Sequence, residues 1–116
     1  MERKRISKEQ RMEVYNKFDG HCAYCGREIE YKDMQVDHMK PLRLGGADDM
    51  SNYMPACRLC NHYKRGNSLE GFRELIETIP GKLMRDSYIC RVASAYNRIM
   101  FRYHPLEFYF EKKQEG

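Results

Sequence analysis

No stretch of this chain approaches the ~18 consecutive apolar residues that a membrane-spanning helix needs, and its mean hydropathy is only −0.85. The N-terminal MERKRISKEQ is charged and has no apolar run, so it does not read as a secretory signal. Internal repeats and low-complexity linkers are missing as well. The expectation is a soluble chain working in the cytoplasm. Aromatic residues, by contrast, are plentiful: nine Tyr and five Phe argue against disorder, which is poor in aromatics. A length of 116 residues fits one domain with a modest core, the kind that a cross-link or a metal ion reinforces. Acidic excess is lacking too. A net charge of +4 and a pI near 8.8 are compatible with a nucleic-acid partner without requiring one.

Cysteine is odd in number. Four of the five fall in two pairs, Cys22/Cys25 and Cys57/Cys60, in the pattern C-x2-C-x31-C-x2-C. Two residues between thiols let both sulfurs face one ion from a tight turn, and two such turns close a tetrahedral zinc site with no position open to water. Such a site holds a fold and does not hydrolyse. A redox C-x-x-C or two buried reduced pairs are the alternatives. Paired cysteines in a reducing compartment favour metal, and Gly26 after the second thiol suits a knuckle turn. Cys90 stands apart and reads as a small core side chain.

The coarse order of elements places these residues. SKEQRMEVYNKF reads as a helix opened by a capping box, Ser7 with Gln10, and carrying Met12, Tyr15 and Phe18 at helical spacing. Asp19-Gly20 ends it. MQVDH and SNYMP read as two short strands joined by the loop PLRLGGADD, and CRLCNHYKRG as a short helix closed by Gly66. NSLEGFRELIETI is a helix broken by Pro80-Gly81. Ile89, Val92, Tyr96, Ile99 and Tyr103 predict a second long helix, with Arg91, Arg98 and Arg102 as a stripe on its other face. LEFYFEKK alternates and predicts a short terminal strand.

Between the cysteine pairs lie Asp37-His38, then Asn52 after thirteen intervening residues, then Asn61 after eight more. With DH-x2-P-L-x2-GG-x4-SN and C-x2-CN-x2-K, the stretch from Cys22 to Gly66 resembles the HNH nuclease family, in its variety with a four-cysteine zinc frame. The third motif letter is Asn61 rather than His. His62 beside it offers a shifted register that the spacing disfavours.

The resemblance implies an α+β chain. Its ββα-metal (His-Me finger) core, about residues 18–66, stands on the zinc frame, with a helical extension over about 67–116 and a short C-terminal strand. It implies a DNA endonuclease producing 5′-phosphate and 3′-hydroxyl ends, of the small phage or mobile-element type, located in the bacterial host's cytoplasm. In the family the middle Asn, here Asn52, holds the loop that orients the base.

The chemistry of the residues agrees. Asp37 and Asn61 offer hard oxygen ligands for Mg²⁺, Mn²⁺ or another divalent ion. His38 should face away from Asp37, since neighbours alternate along a strand, and so serve as base rather than ligand. Lys40, Arg43, Arg58, Lys64 and Arg65 are candidate phosphate contacts, with Arg3, Lys4, Arg5 and Lys8 on the N-terminal arm and the arginine stripe as further ones. His104 reads as structural. His21 does too, or else supports the knuckle or faces DNA. Two other readings compete: a zinc-knuckle nucleic-acid-binding module without catalysis, and a nuclease subunit active only in a larger assembly such as a phage packaging complex.

Overall fold

The computed structural model describes residues 5–102 and 105–114; Arg3, Lys4, Tyr103 and His104 lie outside them. The chain divides into two compact units, residues 1–69 with 107–116 and residues 70–106.

The first unit begins with the capping box. Ser7 Oγ accepts from the Gln10 N–H at 3.1 Å, and Gln10 Oε1 accepts from the Ser7 N–H at 3.0 Å. Two of the orphan N–H groups at the helix start are thereby satisfied, and helix α1 runs over Lys8–Asn16. Asp19 and Gly20, at φ 51° and 79°, turn the chain. Strands β1 (Gln35–His38) and β2 (Tyr53–Ala56) pair antiparallel, with Asp37 opposite Met54 and His38 opposite Tyr53. Two strands alone are marginal in water. Here α1 packs on β2, and α2 (Arg58–Lys64) packs on β1. Val14, Met34 and Tyr53 form the buried centre.

The loop between the strands turns back on itself. Leu42–Leu44 form a 3-10 turn and Gly45 takes φ 89°. A Cβ on Gly46 would stand 1.8 Å from the Lys40 carbonyl oxygen, so only glycine fits there. Asn52 closes the neck of this loop. Its Oδ1 accepts from the Lys40 N–H at 2.9 Å, and its Nδ2 donates to the carbonyls of Lys40 and Ala47, both at 2.8 Å.

The end of the chain departs from the expected strand: Tyr109–Gln114 is a helix, α6. Alternation was nonetheless informative, because Phe108 and Phe110 are both buried. The N–H groups of Tyr109 and Phe110, at the open start of this helix, bond the carbonyls of Tyr24 and Ala23 at 2.9 and 2.8 Å. Glu111 then accepts from the Phe108 N–H at 2.8 Å, capping the helix start and turning the backbone helical. Phe108 meets Tyr24 edge to face at 5.5 Å.

In the second unit, α3 (Leu69–Glu77) stops near Pro80 as expected, but the chain does not leave the helical conformation for long. Pro80 falls in the first turn of α4 (Ile79–Asp86), where its missing N–H costs nothing. Ser87 caps α5 (Tyr88–Ala95), its Oγ accepting from the Cys90 N–H at 3.1 Å. The long second helix is absent: α5 ends at Ala95 and Asn97 is left-handed at φ 57°. Arg91 donates to the carbonyls of Met84 and Arg85 at 2.9 Å each, occupying the open end of α4. Arg91, Arg98 and Arg102 therefore do not form one helical stripe. Ile89 and Tyr96 of the expected seam are exposed, whereas Cys90 is buried as anticipated.

The returning C-terminal segment predicts its own energetics. Phe108, 2% exposed, should cost about 3–5 kcal/mol when replaced by alanine. Urea denaturation of Phe108→Ala, followed by far-UV circular dichroism, checks this; an unchanged midpoint would mean that the segment only rests on the knuckle.

Candidate active site and metal centre

The first cysteine pair sits on a knuckle. The Gly26 N–H returns to the Cys22 carbonyl at 3.0 Å, with Gly26 at φ 81°. The second pair opens α2: Cys57 is its N-cap, and its sulfur accepts from the Cys60 N–H at 3.4 Å. A helix N-terminus favours thiolates. All four sulfurs lie within 4.8 Å of one another. Metal–sulfur bonds of about 2.3 Å in a tetrahedron require sulfurs about 3.8 Å apart, and Cys25 and Cys57 stand at 3.8 Å. Electrostatics agree with that geometry. The hydrogen bond from Cys60 pulls the Cys22 thiol down to about 4, and the same bond pushes Cys60 far up. Crowded thiols cannot all ionise alone, whereas a cation at their centre lets them. The four sulfurs are placed so that they could hold one metal ion.

Asp37 and His38 stand side by side on β1, both buried. Oδ2 of Asp37 accepts from the Tyr24 hydroxyl at 2.5 Å and lies 3.0 Å from Lys64 Nζ. Burial, and then the Asp37 charge, hold the Tyr24 phenol far above its ordinary value, so it remains a donor. Lys64 corrects an expectation. Placed among the phosphate contacts by sequence, it is wholly buried, and its ammonium also donates to the His38 carbonyl at 3.1 Å. It ties α2 to β1 and compensates Asp37. The other carboxylate oxygen of Asp37, Oδ1, has no hydrogen-bond partner among the described residues.

On His38, Nε2 lies 2.9 Å from Asp48 Oδ1, and the ring meets Tyr53 edge to face at 5.3 Å. The Tyr53 hydroxyl donates to the same Asp48 oxygen at 2.8 Å. Sequence reasoning missed Asp48, as it missed Tyr24. The run Ala47-Asp48-Asp49 reads as plain turn chemistry, and Asp49 does make the turn, accepting from the Ser51 N–H at 3.0 Å.

Asp37, His38 and Asn61 line one cleft of about 700 Å³. Arg11, Lys32, Arg43 and Arg65 line it too, and Asp37 is the only carboxylate among its lining residues. Lys40 and Arg58 are exposed but are not part of the lining, and the exposed His62 does not line it either. Arg43 reaches the Gly66 carbonyl, joining the inter-strand loop to the end of α2. His21 stacks on Tyr109 at 5.5 Å and lies 4.0 Å from Glu28, beside the knuckle.

Comparison with known proteins supplies the class. Residues 22–66 match the family model described as HNH endonuclease. That segment folds as an α+β core of two antiparallel strands and a helix beside a four-cysteine cluster, and it is similar to an HNH-type domain. The chain is similar to the SPbeta prophage-derived putative HNH endonuclease YoqL of Bacillus subtilis (strain 168), with 34% identity over 61 residues, 46% of this chain. The match spans about a quarter, 26%, of that relative's length. No helix among the described residues is long and apolar enough to cross a membrane.

Two measurements test the site's construction. Cys57→Ser removes one thiolate from a closed site, so it should lose the bound metal and the cooperative unfolding transition together; elemental analysis and calorimetry read both. Lys64→Met strands the Asp37 carboxylate in the interior and should cost about 3–5 kcal/mol in urea denaturation, whereas Arg65→Met, at an exposed position, should leave the midpoint nearly unmoved.

Proposed function

We propose that the chain is a metal-dependent DNA endonuclease. Water hydrolyses a phosphodiester bond in the cleft of Asp37, His38 and Asn61, and a structural zinc ion in the Cys22, Cys25, Cys57 and Cys60 cluster holds the frame. The observation that carries the reading is that an acid, an imidazole and an amide line one cation-lined cleft, with Asp37 Oδ1 left without a hydrogen-bond partner among the described residues. The oxygens of Asp37 and Asn61 suit a hard divalent ion such as Mg²⁺ or Mn²⁺, which takes one or two protein oxygens and completes its shell with water and phosphate. When bound there, such an ion neutralises charge on the phosphate and on the leaving oxygen.

The protein's own residues do the rest. His38 takes a proton from the water whose oxygen bonds to phosphorus, and the P–O3′ bond breaks. The 3′-oxygen gains a proton from solvent, leaving 3′-hydroxyl and 5′-phosphate ends. Lys64 and Tyr24 hold the Asp37 carboxylate in place through Oδ2 and leave Oδ1 for the ion. Arg43 and Arg65, with Arg11 and Lys32 farther along the cleft, meet the backbone phosphates, while Lys40 and Arg58 extend that surface outside it. Asn52 shapes the loop beside the base. The prophage origin in the relative's name supports a phage or mobile-element role in a bacterial cytoplasm.

Plasmid cleavage by variants, paired with calorimetric titration of Mg²⁺ or Mn²⁺, tests the division of labour. His38→Ala should lower the cleavage rate by about 10²–10⁴-fold and leave divalent affinity nearly unchanged. Asp37→Ala and Asn61→Ala should weaken ion binding and cleavage together, and His62→Ala should retain most of both. Loss of ion binding in His38→Ala with retention in Asp37→Ala would exchange the two roles.

A further inference from the structure

We infer that Asp48 is the positioning residue of the His38 imidazole, setting which ring nitrogen is free to take a proton. The inference rests on the reading of His38 as the base and goes beyond it, because a histidine can act from either nitrogen.

An ionised carboxylate only accepts hydrogen bonds. With Asp48 Oδ1 2.9 Å from His38 Nε2, the hydrogen of the neutral imidazole sits on Nε2 and the lone pair on Nδ1. Nδ1 has no hydrogen-bond partner among the described residues, and His38 lines the cleft. The pairing is well shielded, with both side chains 10% exposed, so water competes weakly for it. The Tyr53 hydroxyl reaches the same Oδ1 at 2.8 Å, fixing that oxygen from a second direction. The Tyr53 ring, edge to face with the imidazole, limits its rotation.

The loop geometry explains how Asp48 comes to be there. Asn52 Nδ2 holds the Ala47 carbonyl at 2.8 Å, one residue before Asp48. Gly46 lets the backbone pass against Lys40 just before that. The neck of the loop therefore delivers Asp48 to the imidazole. This gives Asn52 a physical route to the base: it acts through the placement of Asp48, without touching the reacting atoms. Asp49, adjacent and chemically identical, serves the turn, so the assignment is to Asp48 and not to the pair.

The test uses the metal-loaded full chain with two variants, Asp48→Ala and Asp48→Asn, the second keeping a neutral acceptor of nearly the same shape. Long-range ¹H–¹⁵N spectra of the imidazole ring report the tautomer without any substrate. Wild type should show the Nε2–H form, Asp48→Ala a mixture, and Asp48→Asn an intermediate state. With saturating plasmid, kcat of Asp48→Ala should fall on the order of 10²-fold, as misplacement of a reacting group does, with KM nearly constant and Asp48→Asn falling less. An unchanged tautomer in Asp48→Ala, or a rise in KM alone, overturns the inference. A scrambled tautomer in Asp48→Ala, with full kcat in that variant and in His38→Ala alike, would uphold the positioning and overturn His38 as base; full kcat in Asp48→Ala with a lowered kcat in His38→Ala overturns the inference, so the two failures are distinguishable.

Discussion

The closure of four sulfurs around one point is the constraint on which the rest of the first unit depends. Cys22 and Cys25 lie ahead of β1, and Cys57 and Cys60 open α2. Joining them fixes where the helix begins relative to the hairpin. That start in turn puts Lys64, seven residues after Cys57, beneath Asp37. A two-stranded sheet with one short helix on β1 has little apolar surface to hold such a register. A metal ion held by the four sulfurs would supply what burial cannot, anchoring the start of α2.

A second consequence is the cost of the interior charge. Lys64 and Asp37 are both removed from water, and such pairs seldom stabilise a fold more than apolar replacements of the same shape. The pair is better understood as a device of orientation. Tyr24 and Lys64 engage one oxygen of the carboxylate and leave the other without a hydrogen-bond partner among the described residues. On the neighbouring residue the same logic recurs in a different group: Asp48 engages one nitrogen of His38 and leaves the other. Each of the two side chains is held by one atom and has its twin without a hydrogen-bond partner among the described residues.

Much of this was legible in the sequence, and the limits are instructive. The metal cluster could be read because thiolate spacing is dictated by the size of an ion, which local sequence reports faithfully. The hairpin and α2 could be read because turn residues and the cysteine cap bound them. Lys64 was misplaced because a lysine near an active-site motif has two uses, and only three-dimensional packing shows that its side chain points inward, onto Asp37. Asp48 was missed because in a run of two acids nothing local separates the one that closes a turn from the one that reaches across it. In the C-terminal segment the faces of Phe108 and Phe110 were read correctly and the backbone was not, since Glu111 caps a helix whose burial pattern also suits a strand. The expected long helix failed at Asn97, whose left-handed backbone no periodicity argument detects.

The return of Phe108 and Phe110 to the knuckle has a consequence in time. The first unit is split in sequence: its last pieces emerge only after residues 70–106 have been made. At ordinary rates of synthesis those 37 residues take roughly two to eight seconds. During that interval the cysteines and the cleft residues already exist, but the aromatic brace behind Tyr24 does not. Phe108 and Phe110 therefore close on the knuckle only after the second unit has been made, and the support behind Tyr24 is the last part of the first unit to be put in place.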